Sequence, residues 1–228
     1  SDTAVQSRHS EGHRTRQTTE FQQSVLMGWT STGSSMRLRQ LAMALSKLPP
    51  HPQRDVALEQ YATEGDFAAR WIAEMVERGD LNEDTRVVDL GAGNGILGIG
   101  CMLAGAASAL LVEMDELCQQ EYEGVEWLIG DIGVWSGGDV DLVVMNPPWG
   151  VQTAMADRPF LKAAFSSKAK VVHLLHSAKA KHIESMAESF DWKAETVLSG
   201  SFRLPAQFEH HRSNEGRTEV VVWRFSRN

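Results

Sequence analysis

The chain has 228 residues, of which 42% are hydrophobic and 23% are charged, and its formal net charge is −8. No stretch approaches the roughly 18 consecutive apolar residues of a membrane-spanning helix, and two cysteines, Cys101 and Cys118, are too few for a disulfide-rich secreted domain. The composition therefore predicts a soluble, cytoplasmic α/β protein with one sizeable core, in which both thiols are reduced and packed.

Residues 1–35 are rich in Ser, Thr, Gln, Arg and His and show almost no apolar periodicity. Because such a segment buries too little apolar surface to fold, it is predicted to be a mobile polar extension, and it lacks the apolar run of a secretory signal. A helical pattern begins at Met36 and continues through Leu38, Leu41, Ala42 and Leu45. Residues 36–228 are therefore predicted to form a single domain.

A glycine-rich turn between a strand and a helix is the main feature of the first half. Arg86–Leu90 has the pattern of a strand, and it runs into Gly91-Ala92-Gly93-Asn94-Gly95, which a helical pattern follows. Glycines allow the backbone to approach a ligand closely. The G-x-G-x-G spacing and the preceding acid resemble motif I of the class I S-adenosylmethionine-dependent methyltransferases. This resemblance implies that the acid and the glycines bind the cofactor S-adenosyl-L-methionine at its amino-acid end: Asp89, Gly91, Gly93 and Gly95.

The second predicted strand, Ala109–Val112, ends at Glu113. A carboxylate at the tip of this strand accepts the ribose hydroxyls of a nucleotide in doubly wound folds, and Asp115 is a nearby alternative for that role. Only residues 114–124 separate this strand from the third. Because a crossover helix between parallel strands needs about a dozen or more residues, we expect one or two turns, or irregular structure, in this connection.

The third predicted strand, Val125–Ile129, is followed by Asp131 and Ile132. In the methyltransferases that motif I resembles, an acid at this position reaches the adenine amino group of the cofactor, and the next residue packs on the ring. The resemblance therefore implies that Asp131 and Ile132 line the adenine side of the cofactor site.

The tetrapeptide Asn146-Pro147-Pro148-Trp149 follows the apolar strand Leu142–Met145, so it lies at the carboxyl end of a strand, where ligands bind in open α/β sheets. Two prolines end the strand and stiffen the turn. One amide, one backbone carbonyl and one aromatic face can then surround an exocyclic amine, which needs acceptors for two protons and a ring to stack on. The tetrapeptide is predicted to be catalytic; the alternative is a Pro-rich turn with a core Trp.

Charge divides the domain unevenly. Residues 36–145 hold 7 Lys and Arg against 19 Asp and Glu, whereas residues 146–228 hold 12 against 8 and also five of the eight histidines. A basic face beside the catalytic tetrapeptide would suit contacts with phosphates; the alternative is an ordinary mixed surface. The rest of the chain predicts a helix, a fifth strand (Val171–Leu175), a second helix, and a terminal hairpin pairing residues 196–198 with 219–225.

Several short motifs resemble the methyltransferase-like protein 5 family over roughly residues 36–228. They are Leu58-Glu59-Gln60-Tyr61-Ala62-Thr63, Ala68-Ala69-Arg70, the glycine turn, Asn146–Gly150, Phe160-Leu161-Lys162, His176-Ser177, Leu204-Pro205-Ala206, His211-Arg212 and Glu219–Phe225. The resemblance implies a Rossmann-like three-layer sandwich around a seven-stranded, mostly parallel sheet with one antiparallel strand. It also implies methylation of N6 of an adenosine in small-subunit ribosomal RNA.

The same resemblance assigns further residues and a partner. Gln60, Tyr61 and Thr63 would close over the methionine end of the cofactor, with Asn146 beside them. His211 and Arg212 would meet the RNA. A small zinc-ribbon activator subunit would form a heterodimer with this chain by pairing with an edge strand of its sheet and covering apolar surface.

Other functions remain open. Four histidines (His173, His176, His210 and His211) could suggest a metal, but their pattern matches no common ligand spacing, so no metal site is expected. Protein glutamine N5 methylation and rRNA guanine N2 methylation use the same kind of amide-holding motif. A degenerate domain that serves as an RNA-binding scaffold is the non-enzymatic alternative, against which the retained acids, glycines and tetrapeptide argue.

Overall fold

The computed structural model describes residues 34–51, 63–149, 154–203 and 217–227. In these ranges a seven-stranded sheet carries helices on both faces. The helices are α1 (Ser34–Leu45), α2 (Gly65–Glu77), α3 (Ile96–Leu103), α4 (Arg158–Ser166) and α5 (His182–Glu188). The strands are β1 (Arg86–Leu90), β2 (Ser108–Glu113), β3 (Val125–Ile129), β4 (Leu142–Met145), β5 (Val171–Ser177), β6 (Trp192–Arg203) and β7 (Arg217–Arg227).

The strands lie in the order β3-β2-β1-β4-β5-β7-β6. The pairs β1–β2, β1–β4, β2–β3 and β4–β5 are parallel, and β7 is antiparallel to both of its neighbours, β5 and β6. The predicted sheet with one antiparallel strand is therefore confirmed. The chain winds outward in one direction from β1 to β3 and in the other from β4, so a crevice opens between β1 and β4 at the carboxyl ends of the strands.

Both faces of the central strands are buried, which explains their nearly continuous apolar sequences. One face packs against α1, α2 and α3, and its core includes Leu41, Trp71 and Ile72. The other face packs against α4 and α5, with Phe165 and Phe225 in a T-shaped contact at 4.9 Å between ring centroids. These two cores fix the sheet and the helices as three layers.

The terminal hairpin is longer than the sequence predicted. It pairs Trp192–Arg203 with Arg217–Arg227 instead of residues 196–198 with 219–225. The polar residues that flank the apolar segments take part in the ladder because its hydrogen bonds come from the backbone, and a bulge between Thr196 and Leu198 shifts the register. The loop that joins the two strands lies outside the described residues.

The short connection between β2 and β3 is a single 3₁₀ turn, Glu116–Cys118, as its length predicted. Asp115, the alternative ribose ligand, caps this turn by accepting a hydrogen bond from the Leu117 amide at 2.9 Å, and its ribose contact stays a prediction. Helix α1 begins at Ser34, two residues before the predicted start. Within the described ranges, no helix has the length and apolar character needed to cross a membrane.

Candidate active site

The register of the sheet places the predicted site residues side by side. Leu90 at the end of β1 pairs with Val112 of β2 and Met145 of β4. Consequently Gly91, Glu113 and Asn146, which each follow one of these residues, lie together at the carboxyl ends of the strands. The crevice at the topological switch point opens here, where ligands bind in doubly wound folds.

The turn after β1 has the backbone that its glycines predicted. Gly91, Gly93 and Gly95 have φ angles of 72°, 55° and 78°, a left-handed conformation that strains other residues. The amides of Gly91 and Ala92 both donate to the Val112 carbonyl, at 2.9 and 3.0 Å. A β-carbon on Gly91 would also lie 2.9 Å from the Phe160 ring. Glycine is thus required by conformation and by packing.

Asp89 is a buried carboxylate with one unused oxygen. Its Oδ2 accepts from the Gly98 amide of α3 at 2.9 Å, whereas Oδ1 has no hydrogen-bond partner within the described part of the chain. Burial, assisted by the charge of Glu113, raises the pKa of Asp89 to about 7, although the bond from Gly98 acts in the opposite direction. A buried carboxylate oxygen of this kind fits a cationic donor such as an ammonium group.

Glu113 fastens the glycine turn to the end of β2. Its Oε2 accepts from the Gly93 amide at 2.8 Å, and its Oε1 accepts from the amides of Met114 and Asp115 at 3.0 and 3.1 Å. A carboxylate has about four acceptor positions, so one remains beside the turn. The ribose contact predicted for Glu113 stays a prediction, and the structure adds a second role in holding the turn.

Asp131 and Ile132 follow β3, the neighbour of β2, and lie at the same carboxyl ends of the strands. The Asp131 side chain accepts from the Gly133 amide at 3.0 Å and caps the 3₁₀ turn Ile132–Val134. Asp131 is exposed and Ile132 half-buried. Their predicted contacts with an adenine ring stay predictions.

The tetrapeptide Asn146–Trp149, predicted to be catalytic, forms a hydrogen-bonded unit with Thr63, two residues before α2. The Asn146 Nδ2 donates to Thr63 Oγ1 at 3.2 Å, and the Trp149 Nε1 donates to Asn146 Oδ1 at 3.3 Å. Because an indole nitrogen only donates, the oxygen of the Asn146 amide must face it, which fixes the orientation of the amide. Pro147 is buried and Pro148 half-buried. Trp149 is 7% exposed, so this predicted stacking residue is largely enclosed in the described structure.

Four predicted site residues lie outside the described ranges: Gln60, Tyr61, His211 and Arg212. The described residues on both sides of the first pair lie at the site. Pro49 accepts a hydrogen bond from Asn94 of the glycine turn at 3.0 Å, and Thr63 binds Asn146.

The fold adds three residues that sequence reasoning did not assign to a common site. Asp157 accepts at a single oxygen, Oδ2, from His176 at 3.1 Å and from His182 at 2.5 Å, and the His176 ring lies 5.9 Å from that of Trp149. Spacing gave no signal, because these residues lie up to 25 positions apart. The fold thus places an acid and two histidines against the tetrapeptide. One of the histidines, His176, belongs to a motif shared with the family, but the sequence assigned no role to it.

The sheet order, the glycine turn after β1 and the Asn-Pro-Pro-Trp motif after β4 together define a class I methyltransferase fold. No family model matches the chain. PH1948 from Pyrococcus horikoshii, a protein described provisionally as an RNA methyltransferase, superposes with a TM-score of 0.74 at 35% identity, covering 84% of this chain and 98% of that one. The rRNA N(6)-adenosine-methyltransferases of Danio rerio (METTL5) and Drosophila melanogaster (Mettl5) are 26% and 27% identical to the chain, over 84% and 83% of it and 99% and 96% of their own lengths. The chain belongs to the methyltransferase-like protein 5 family.

Proposed function

We propose that this chain is an S-adenosylmethionine-dependent methyltransferase that modifies N6 of an adenosine in small-subunit ribosomal RNA. One observation carries the proposal: the Asn146 amide, oriented by Thr63 and Trp149, lies beside a left-handed glycine turn at the switch point of the sheet. The names of the zebrafish and fruit-fly relatives support ribosomal RNA as the substrate and N6 of adenosine as the position.

The residues of the crevice fit the proposed cofactor. The unused oxygen of Asp89 suits the ammonium group of an amino acid, and the turn from Gly91 to Gly95 leaves its backbone open to close approach. Glu113 would reach the ribose, and Asp131 with Ile132 would reach the adenine. Gln60, Tyr61 and Thr63 would lie over the methionine end. When bound, S-adenosylmethionine supplies an electrophilic methyl group on a sulfonium.

The tetrapeptide would hold the acceptor. The lone pair of an aromatic amine is delocalised into the ring, so the amine is a poor nucleophile until its protons are bound in a suitable geometry. The Asn146 oxygen and the Pro147 carbonyl would accept the two amine protons, and Trp149 would stack on the base. Alignment of nitrogen and methyl group then provides most of the rate enhancement.

No strong general base is needed at Asn146, because the amine becomes acidic only after transfer and its proton can then pass to water. The target base must first leave its stack. An adenine in a loop or junction leaves more easily than one in a helix, so we expect an unpaired site in the RNA.

Exposed cations surround the mouth of the crevice on the α4–α5 side. Arg158 begins α4 and Lys162 lies one turn later, while Lys179 and Lys181 follow β5 directly; all four are exposed. This arrangement supports the predicted phosphate contacts of the basic half of the chain. His211 and Arg212 would extend the same surface.

The opposite edge of the sheet supports the predicted partner. Strand β3 pairs with β2 alone among the described strands, so one side of it presents unpaired backbone groups. Large apolar side chains around it are exposed: Met114, Leu117, Ile129 and Val134 at 58%, 57%, 37% and 46%. An edge strand flanked by apolar residues suits strand addition by a second protein, and we propose that the small zinc-ribbon activator binds here.

The experiment that tests the function uses labelled S-adenosylmethionine and unmodified small-subunit ribosomal RNA, with and without a zinc-ribbon activator. N6-methyladenosine among the digested nucleosides is the expected product. A different methylated nucleoside, such as N2-methylguanosine, would show that the enzyme modifies another base or atom of the RNA. Cofactor binding without transfer to RNA, followed by transfer to a protein glutamine, would replace the proposed substrate.

A further inference from the structure

Asp157, His176 and His182 form a compact cluster beside the catalytic tetrapeptide. Asp157 immediately precedes α4 and is 1% exposed, and His176 near the end of β5 is also 1% exposed. His182 begins α5, and its side chain is 31% exposed. The cluster therefore extends from the basic surface of Lys179 and Lys181 down to the buried edge of the sheet.

Hydrogen bonding assigns the proton positions in this cluster. The two histidine bonds to Asp157 outweigh its burial and hold the pKa of the carboxyl below its usual value, so Asp157 is ionised and only accepts. Each imidazole must therefore donate through Nε2. The Nδ1 of His176 is buried and has no hydrogen-bond partner among the described residues.

The same atoms could in principle hold a cation, since the ligand atoms of the three side chains lie within 4.8 Å of one another. A histidine that binds a metal through one nitrogen normally donates the other N–H to an acceptor. His176 bound through Nε2 would bury Nδ1–H with no described acceptor. The hydrogen bonds to Asp157 account for the close approach of the three side chains without an ion and are the better account of the cluster.

The His176 ring connects this cluster to the tetrapeptide. It lies 5.9 Å from the Trp149 ring, centroid to centroid, with 31° between the planes. The indole N–H in turn binds the Asn146 oxygen at 3.3 Å. An unbroken chain of contacts therefore runs from the Asp157 carboxylate to the amide that would receive the target amine.

We propose that Asp157 and His176 are positioning residues that act through Trp149. The carboxylate fixes the imidazole ring, the ring fixes the indole, and the indole N–H orients the amide of Asn146. This inference rests on the proposed function, since orienting the amide matters only if it receives a substrate amine. Misplacement of a reacting group by about 1 Å can slow a reaction by roughly 100-fold, so a buried support of this kind has a measurable effect.

The test compares two conservative variants by kinetics on ribosomal RNA. His176→Phe keeps an aromatic ring against Trp149 but removes the bond to Asp157, and Asp157→Asn keeps the shape but loses the charge and one acceptor. We expect kcat to fall roughly 10- to 100-fold in both, while the Kd for S-adenosylmethionine, measured by titration calorimetry, stays unchanged. If either variant folds and its kcat equals that of the wild type, the proposal is overturned.

Strand β5 supplies a matched control. His173 is equally buried and binds Asp80 at 2.9 Å, but it lies on the opposite face of the sheet. His173→Gln is expected to lower Tm and to leave kcat per folded molecule unchanged. If His176→Phe behaves in the same way as His173→Gln, the cluster is merely structural and the proposal fails.

A second measurement does not depend on activity. Hydrogen exchange of the Trp149 indole N–H, assigned in NMR spectra through Trp149→Phe, should be slow in the wild type and faster in Asp157→Asn, but unaffected by His173→Gln. Equal exchange in all of them would overturn the positioning role even if the wild type failed to methylate RNA, an outcome that would separately reject the proposed function. Stoichiometric zinc in the purified protein, lost in His182→Gln, would replace the hydrogen-bonded cluster by a metal site.

Discussion

Two Asp–His pairs on β5, three residues apart, differ in how completely their atoms are satisfied. His173 accepts from the Trp71 indole at Nδ1 and donates through Nε2 to Asp80, which also receives two bonds of 2.7 Å from Arg224. His176 binds Asp157 in the same manner, but its other nitrogen has no partner in the described structure. The first pair is closed and ties together α2, β5 and β7. The second is open and lies against the tetrapeptide Asn146–Trp149.

The two pairs show how a structural polar cluster differs from one at a ligand site. A closed network satisfies every group and contributes stability and a unique packing. A buried polar atom without a partner costs free energy, and two such atoms of the described structure lie at the ligand end of the sheet: Oδ1 of Asp89 and Nδ1 of His176.

Removing the acid of the closed pair should have the largest effect. Asp80→Ala leaves the half-buried guanidinium of Arg224 with Glu195 as its remaining described partner and leaves the buried His173 without its acceptor, so the free energy of unfolding should fall by about 3 kcal/mol. Denaturant titration measures this change. Transfer activity per folded molecule should be unaffected, and a loss of kcat in the folded variant would contradict the division into two regions.

The closed pair also predicts how stability depends on pH. Burial raises the pKa of Asp80, but bonds from Arg224 and His173 outweigh it and hold the pKa at about 2. Because this value is below that of the unfolded chain, the contribution is present above about pH 4 and is lost as the pH falls towards 2. Acid titrations of wild type and Asp80→Ala should therefore converge at low pH. A constant difference between them would contradict the assignment.

At the open site, Glu113→Gln should weaken cofactor binding. The substitution removes the charge from the carboxylate that would accept from the ribose hydroxyls, and charge-assisted bonds contribute about 1.5–3 kcal/mol. The Kd for S-adenosylmethionine should rise by roughly 10- to 100-fold, and Tm without cofactor should also fall, because Glu113 accepts from the Gly93 amide in the folded chain. Asp115→Asn changes the residue that caps the neighbouring 3₁₀ turn and serves as the control. Its Kd for S-adenosylmethionine should equal that of the wild type.

Cofactor binding should also strengthen as the pH rises. Burial raises the pKa of Asp89 to about 7, and the ionised form accepts from an ammonium group much more strongly than the neutral acid does. Affinity should therefore increase about tenfold between pH 6 and pH 8, with proton release on binding. Calorimetry in buffers of different ionisation heat detects that proton. Asp89→Asn should remove the pH dependence, and an unchanged profile in this variant would show that another group titrates.

The smallest effect is expected at the β3 edge. Leu117→Glu should weaken binding of a zinc-ribbon activator by about tenfold and leave cofactor affinity alone. Met43→Glu introduces the same charge at an equally exposed apolar residue of α1 and serves as the control. Equal effects of the two substitutions would place the partner elsewhere.

The sequence predicts features that local rules determine. The positive φ angles of Gly91, Gly93 and Gly95 follow from residue type, and the strand ends follow from apolar runs. The Asp157 cluster could not be predicted, because it depends on how the start of α4 meets β5. The extent of the terminal hairpin was underestimated for a related reason: backbone pairing extends over residues whose side chains carry no apolar pattern.

The central claim is that the Asn146 amide holds the acceptor amine. The most direct test measures the transfer rate to ribosomal RNA and the Kd for S-adenosylmethionine in Asn146→Ala. The transfer rate is expected to be lower by about 100-fold or more, with the Kd for the cofactor unchanged. Full transfer activity in that variant, with cofactor binding intact, would contradict it.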